Sequence, residues 1–193
     1  MKLNIELNES LGTKIFSFPM RYQPTDLKDR SYIGEHWNKY FLRSFQIILQ
    51  ATHGIVSGAP QFFNRAFGEN SEQFRALLMM PQHFIFNRNW YEHMGGKPEL
   101  EQYEKDFNAL SNDEKNQLLD LICKNSPKKI EDTARKLPNK KLSHILNYYT
   151  PLSDELSIDI WAKQKKERDK EKLKAHQIIP DDERVEDANL EVA

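Results

Sequence analysis

Apolar residues recur at helical spacing along most of the chain, and glycine or proline interrupts the pattern at short intervals. The first long run begins at Ser31 and places apolar side chains three, four or seven residues apart, at Ile33, Trp37, Tyr40, Phe41, Ile48 and Ala51. Such spacing puts the side chains on one face of an α-helix, which we expect to end at Gly54. Comparable segments continue to about residue 176, so the sequence predicts a mainly α-helical chain.

Local signals mark the ends of several of these helices. Ser111 and Glu114 have the spacing of a capping box, in which each side chain binds the backbone amide of the other residue. Pro60 suits a first helical turn, because a backbone N–H has no intrahelical partner there. His83 to Met94 is predicted to be one helix that stops at the two glycines 95–96.

Residues 1–24 follow a different pattern. Lys14 to Phe18 is a short aromatic run between Gly12 and Pro19, which is typical of a β-strand. Residues 1–11 mix periods of two and four and fit either a strand or a helix. The predicted fold is therefore mainly α, a multi-helical single domain with one or two short N-terminal β-strands.

The C-terminal end is dominated by charge. Lys163 to Lys174 carries seven basic and three acidic residues, and residues 181–193 carry six acids and one arginine. A segment without aromatic residues cannot bury enough apolar surface to offset the entropy lost on ordering. We expect a solvated helix that fades into a disordered acidic tail. The predicted divisions are an N-terminal strand segment 1–24, a helical domain 25–160, and a charged helix and tail 161–193.

Composition limits the classes of protein to which the chain can belong. The 28 Lys and Arg residues nearly balance the 29 Asp and Glu residues, which leaves a formal net charge of −1 and no general attraction to nucleic acid. A single cysteine excludes an internal disulfide and a cysteine-only zinc site. No apolar run approaches the length of a membrane span, and no secretory signal begins the chain. These features predict a cytoplasmic protein that does not enter the membrane.

No familiar catalytic or metal-binding motif is present. No two of the six histidines are four residues apart, which is the spacing a helical zinc motif needs, so no metal ligand is predicted. Cys123 follows two apolar residues and is expected to be a buried small hydrophobe. No glycine-rich phosphate loop or nucleophile elbow occurs, so we predict no catalytic residue.

One face of the predicted long helix is polar. His36, Arg43 and Gln50 recur every seven residues, and the guanidinium of Arg43 offers a fork of donors suited to carboxylate or phosphate. The same arrangement also fits a solvated stripe beside a core stripe, which the sequence alone favours somewhat.

Four short aromatic segments, in this order, resemble the C-terminal region of radical S-adenosylmethionine (radical SAM) family proteins. They are residues 15–22 (IFSFPMRY), 33–54 (IGEHWNKYFLRSFQIILQATHG), 62–68 (FFNRAFG) and 79–88 (MMPQHFIFNR), and the likeness covers roughly residues 1–150. Enzymes of that family hold a [4Fe-4S] cluster through three cysteines in a C-x3-C-x2-C motif. This chain lacks the motif, and Cys123 alone cannot replace three thiolates.

The resemblance implies a non-catalytic C-terminal or accessory module that completes a cluster-bearing partner chain. No cofactor is expected on this chain alone, and S-adenosylmethionine and [4Fe-4S] would be present only if a partner chain supplied the cysteines. No autonomous activity is expected. The resemblance also makes Ile15, Phe16 and Phe18 a late barrel strand that pairs with the partner or with a second copy. The residues expected to contribute to a pocket are Arg21, His36, Trp37, Arg43 and His53.

An alternative is a helical interaction protein that binds protein or nucleic acid through its Lys/Arg-rich C-terminal helix. Alternating charge signs between Lys163 and Lys174 favour a solvated helix with internal ion pairs over a nucleic-acid arm.

Overall fold

The computed structural model describes residues 2–15, 19–29, 31–51 and 60–178. Eleven α-helices and one 3₁₀ turn lie in these ranges. The helices are α1 (Lys2–Leu11), α2 (Lys39–Ala51), α3 (Pro60–Phe67), α4 (Ser71–Met79), α5 (Gln82–Phe86), α6 (Arg88–His93), α7 (Lys97–Asn108), α8 (Asn112–Lys124), α9 (Pro127–Lys136), α10 (Lys140–Leu146) and α11 (Asp154–Ile178), with the 3₁₀ turn at Asn147–Tyr149.

The mainly helical character is confirmed, but the predicted N-terminal strands are wrong, since no described residue lies in a strand. Residues 2–11 form α1 and bury Ile5. The backbone of Ile15 is paired with a side chain instead of a neighbouring strand: Asn8 Nδ2 donates to Ile15 O at 2.9 Å, and Ile15 N donates to Asn8 Oδ1 at 2.7 Å. The rest of the predicted strand, Phe16 to Phe18, lies outside the described residues.

The helical core is built around α2. This helix packs against α4, α5 and α8, and it buries Phe41, Ile47 and Ile48. Farther along the chain, α10 packs against α7, α8 and α9, and it buries Leu142 and Ile145. Because α8 contacts both groups, the helices from α2 to α10 share one apolar core.

Aromatic rings form the centre of this core. The ring centroids of Phe84 and Tyr91 are 4.2 Å apart, and the Tyr103 ring meets Phe84 edge-on at 5.5 Å. Tyr149 contributes its hydroxyl, which donates to Met79 O at 2.7 Å and lies 3.1 Å from the Tyr103 hydroxyl. Buried phenols are favourable only when their hydroxyls find partners, and both of these do.

Several predicted helix ends are confirmed, one predicted start is shifted, and one predicted helix is divided in two. The capping box forms as expected, with Glu114 N donating to Ser111 Oγ at 3.2 Å and Ser111 N donating to Glu114 Oε2 at 2.9 Å. The helix predicted from Ser31 starts only at Lys39, because Asn38 caps it by accepting from Phe41 N at 2.8 Å. The helix predicted over 83–94 is interrupted at a turn between α5 and α6.

The chain divides into two units, Met1–Leu152 and Ser153–Ala193. The second unit contains α11, in which Ile160 is buried while Leu156, Ile158 and Trp161 are exposed. Inside this helix Lys170 pairs with Glu167 at 3.3 Å, as expected for a solvated helix. The predicted acidic tail lies outside the described residues. Within the described ranges, none of the helices combines the length and the apolar content that crossing a membrane requires.

Candidate functional site

A cleft of about 410 Å³ opens in the first unit, bordered by α2, α5, α8, α9 and the residues that follow the 3₁₀ turn. This volume lies in the range of small-molecule sites, roughly 300–1,000 Å³. The lining side chains include no carboxylate: they are Lys39, Tyr40, Arg43, Gln82, His83, Ile122, Cys123, Asn125, Ile130, Tyr149, Thr150, Pro151 and Leu152.

Two basic side chains stand at one edge of the cleft. Lys39 and Arg43 are one helical turn apart on α2, and both are exposed. Neither makes an ion pair within the part of the chain that the structure describes. Because neither side chain is paired, this part of the cleft carries uncompensated positive charge. The two like charges also repel each other at this spacing.

The lining also includes buried apolar side chains and two tyrosines. Ile122, Ile130 and Tyr149 are buried, and the Tyr40 hydroxyl donates to Met80 O at 2.9 Å. Burial raises the pKa of both Tyr40 and Tyr149 well above the usual value, so both phenols stay protonated near neutral pH. They support the cleft and do not serve as bases there.

His83 and Cys123 are the other titratable groups of the lining. Burial lowers the pKa of His83 to about 4, so the imidazole is neutral at pH 7, and its ring packs edge-on against Phe84 at 4.7 Å. The prediction that Cys123 is buried is wrong, because the thiol is exposed. Partial desolvation, then the charge of Asp120, raises its pKa, which keeps the thiol form dominant at pH 7.

The lining therefore fits binding better than acid–base chemistry. It offers two cations, a neutral imidazole, an amide at Asn125 and a hydroxyl at Thr150 together with apolar side chains. No group of three His, Cys, Asp or Glu side chains that could hold a metal ion occurs among the described residues.

The structure describes four of the five predicted pocket residues and does not bring these four together. Of the four, Arg43 alone lines the cleft. Trp37 is half-buried and packs edge-on against Phe45, with centroids 5.7 Å apart. His36 is exposed in the turn before α2, and the guanidinium of Arg21 donates to the carbonyl oxygen of Tyr32. His53 lies outside the described residues.

The other lining residues were missed because they come from distant parts of the sequence. Lys39 was the one with a local signal, since its spacing of four from Arg43 puts both side chains on the same helix face. His83, Cys123 and Thr150 meet at the cleft only because α5, α8 and the 3₁₀ turn pack together, which no short-range pattern indicates.

A second distinctive surface is the N-terminal segment, defined here as residues 3–32 without the undescribed positions 16–18 and 30. Its only buried large apolar side chain is Ile5. The exposed ones are Leu3, Leu11, Ile15, Met20, Tyr22, Leu27 and Tyr32, among which Met20 is 87% and Tyr22 is 70% exposed.

The chain matches no protein-family model, no curated protein and no solved structure. The likeness to radical SAM proteins thus depends on the four aromatic segments of the sequence.

Proposed function

We propose that this chain is an accessory module, without catalytic activity of its own, whose N-terminal segment docks on a partner protein. The observation that carries the proposal is the concentration of exposed apolar side chains in that segment. Between Lys39 and Tyr149, leaving aside residues 51–62, whose side chains the structure does not describe, Phe86 is the single exposed large hydrophobic side chain. Several exposed large apolar side chains close together in the chain, as found before Lys39, are typical of an interaction surface.

The segment holds its shape through local contacts. The Tyr22 and Tyr32 rings meet edge-on with centroids 5.7 Å apart, and Arg21 binds the Tyr32 carbonyl. Gln23 Nε2 donates to Leu27 O at 3.1 Å and to Asp29 O at 2.6 Å. A surface that is already ordered loses less conformational entropy on binding, which favours docking.

The resemblance of the sequence to radical SAM proteins supports a particular partner. A chain that carries the C-x3-C-x2-C motif would supply the cluster and S-adenosylmethionine, and this module would complete it. Such a pair would work in the reducing cytoplasm, where thiolates and clusters persist.

Anaerobic purification of the tagged full chain from its native cells tests this function. We expect a second chain with C-x3-C-x2-C to copurify in a fixed ratio and to bring iron, with cluster absorbance that the isolated module lacks. Recovery of the module alone as a monomer, or a cluster reconstituted on the isolated module, would contradict the proposal.

The Lys/Arg-rich helix supports the alternative of nucleic-acid binding. All seven basic side chains from Lys163 to Lys174 are exposed on α11. Against it, Lys170 is paired with Glu167, and Lys165 lies 5.3 Å from the centroid of the Trp161 ring. Binding to duplex or single-stranded nucleic acid that weakens steeply with added salt would favour this alternative.

A further inference from the structure

We propose that the cleft beside α2 binds a small organic anion, with a phosphate or carboxylate head at Lys39 and Arg43 and an apolar body over Tyr40, Pro151 and Leu152. This site is separate from the N-terminal segment and does not depend on the partner.

Arg43 differs from the other described arginines of the first unit. Each of the others has a partner: the carboxylate of Glu92 for Arg65 and Arg88, the carboxylate of Glu131 for Arg135, the amide oxygen of Asn116 for Arg75, and the carbonyl of Tyr32 for Arg21. Arg43 has none among the described residues, and it stands one turn from the equally unpaired Lys39. An anion between the two would relieve their repulsion and form charge-assisted hydrogen bonds with both.

The rest of the lining selects against other ligand classes. A cation would meet two positive charges and no carboxylate in the lining. A free inorganic anion would leave the accessible apolar side chains of the lining, among them Pro151 and Leu152, in water. An amphipathic anion satisfies both parts of the site, because its head reaches α2 while its body covers these apolar side chains.

Other polar groups of the lining can orient such a ligand. Thr150 Oγ1 donates to Asn147 O at 2.8 Å and keeps its lone pairs as acceptors. Asn125 is held in place, because its Nδ2 donates to Leu121 O at 2.8 Å. His83 is neutral near pH 7 and can donate one hydrogen bond without adding charge.

The single cysteine makes the test specific to this cleft. Cys123 is exposed and lines the cleft, so a bound ligand should shield its thiol from iodoacetamide, a neutral reagent. Phenyl phosphate and phenylacetate are the probes, and inorganic phosphate and phenol are the matched controls for head and body. Alkylation rates are followed by mass spectrometry on the full chain, with each variant compared with its own ligand-free rate.

We expect phenyl phosphate, phenylacetate or both to slow alkylation of Cys123 in a saturable manner. Comparison of the two probes shows whether the site prefers a phosphate or a carboxylate head. The double variant Lys39→Gln/Arg43→Gln should weaken this protection about tenfold, as expected for the loss of charge-assisted contacts. The control Lys140→Gln/Lys141→Gln makes the same change in net charge on α10, which contributes no residue to the lining, and it should change the affinity less than about twofold. Circular dichroism establishes that both variants keep their helices.

Three results would overturn the proposal. The first is no protection by either probe at millimolar concentration. The second is equal protection by phenol or by inorganic phosphate, which would remove the need for a head or for a body. The third is equal weakening by both double variants, which would assign the effect to overall charge.

Discussion

The N-terminal segment and the helical core from α2 to α10 differ in the exposure of their large apolar side chains. The core buries rings such as Phe84 and Tyr103 in direct contact, while the segment leaves Met20 and Tyr22 largely in water. The hydrophobic effect is the main stabilising contribution to the core, but it contributes little to the segment, where local hydrogen bonds dominate. The comparison separates residues that stabilise the fold from residues that are available to a partner.

The largest expected effect comes from opening the aromatic centre of the core. Phe84 is 1% exposed and contacts the rings of Tyr91 and Tyr103. Phe84→Ala should lower the free energy of unfolding by about 3–5 kcal/mol, because the surrounding helices cannot fill the cavity. Urea unfolding followed by circular dichroism measures this, and a loss near 1 kcal/mol would show that the core is looser than described.

Trp37 lies in the sequence between the N-terminal segment and α2, and the effect of replacing it should be intermediate. The indole is half-buried against Phe45, so it loses less contact than a fully buried ring. Trp37→Ala should lower the free energy of unfolding by about 1–2 kcal/mol. Trp37→Phe is the matched control and should recover most of the loss. A cost as large as that of Phe84→Ala would place Trp37 in the core proper.

The capping box of α8 gives a smaller and more local effect. Ser111→Ala removes the hydroxyl that accepts from Glu114 N and should lower the free energy of unfolding by about 1 kcal/mol. Ser111→Asp keeps an acceptor and should be close to neutral. If the aspartate variant were as unstable as the alanine variant, the cap would not be the cause.

Glu114 makes the same cap sensitive to pH. The hydrogen bond from the Ser111 amide, then that from the Asn139 side chain, lowers the pKa of the Glu114 carboxyl in the folded chain. This stabilisation is complete above the unfolded pKa of about 4.3 and is lost as the pH falls through the lower folded pKa. Glu114→Gln should flatten the stability profile below pH 4.5, approximately, in acid-titrated urea unfolding. An unchanged profile would contradict the shift.

The smallest effect on stability should come from the N-terminal segment. Leu3→Asp/Met20→Asp replaces two exposed side chains, so the free energy of unfolding should change by less than about 0.5 kcal/mol. Thermal unfolding with circular dichroism checks this. A loss of several degrees would show that these side chains stabilise the fold and are not reserved for a partner.

Short-range signals in the sequence identified the features that depend on neighbouring residues. The cap at Ser111 and the start of α3 at Pro60 follow from positions a few residues apart. The strand expected at Lys14 to Phe18 was wrong at its described end, because Asn8, seven residues away, pairs with the backbone of Ile15. A periodicity argument does not consider such a contact.

Most of the cleft could not be predicted from the sequence, for a related reason. The sequence singled out Arg43 by its chemistry, but His83 and Thr150 become its neighbours only through the packing of α5 and the 3₁₀ turn. Exposure of Cys123 likewise depends on where α8 faces solvent. Residue types indicate which chemical groups a site could use. Which distant side chains lie together can be known only from the tertiary fold.

The most direct test of the division between core and segment asks whether a variant of the segment loses binding to the partner while it keeps its fold. The partner complex recovered by anaerobic copurification is quantified for wild type, for the N-terminal variant Leu3→Asp/Met20→Asp, and for Phe86→Asp, which alters an exposed apolar side chain of α5. We expect the N-terminal variant to retain its fold and to lose at least about tenfold in affinity, and Phe86→Asp to bind as wild type does. Equal binding by the N-terminal variant and wild type, or loss of binding only in Phe86→Asp, would contradict the account.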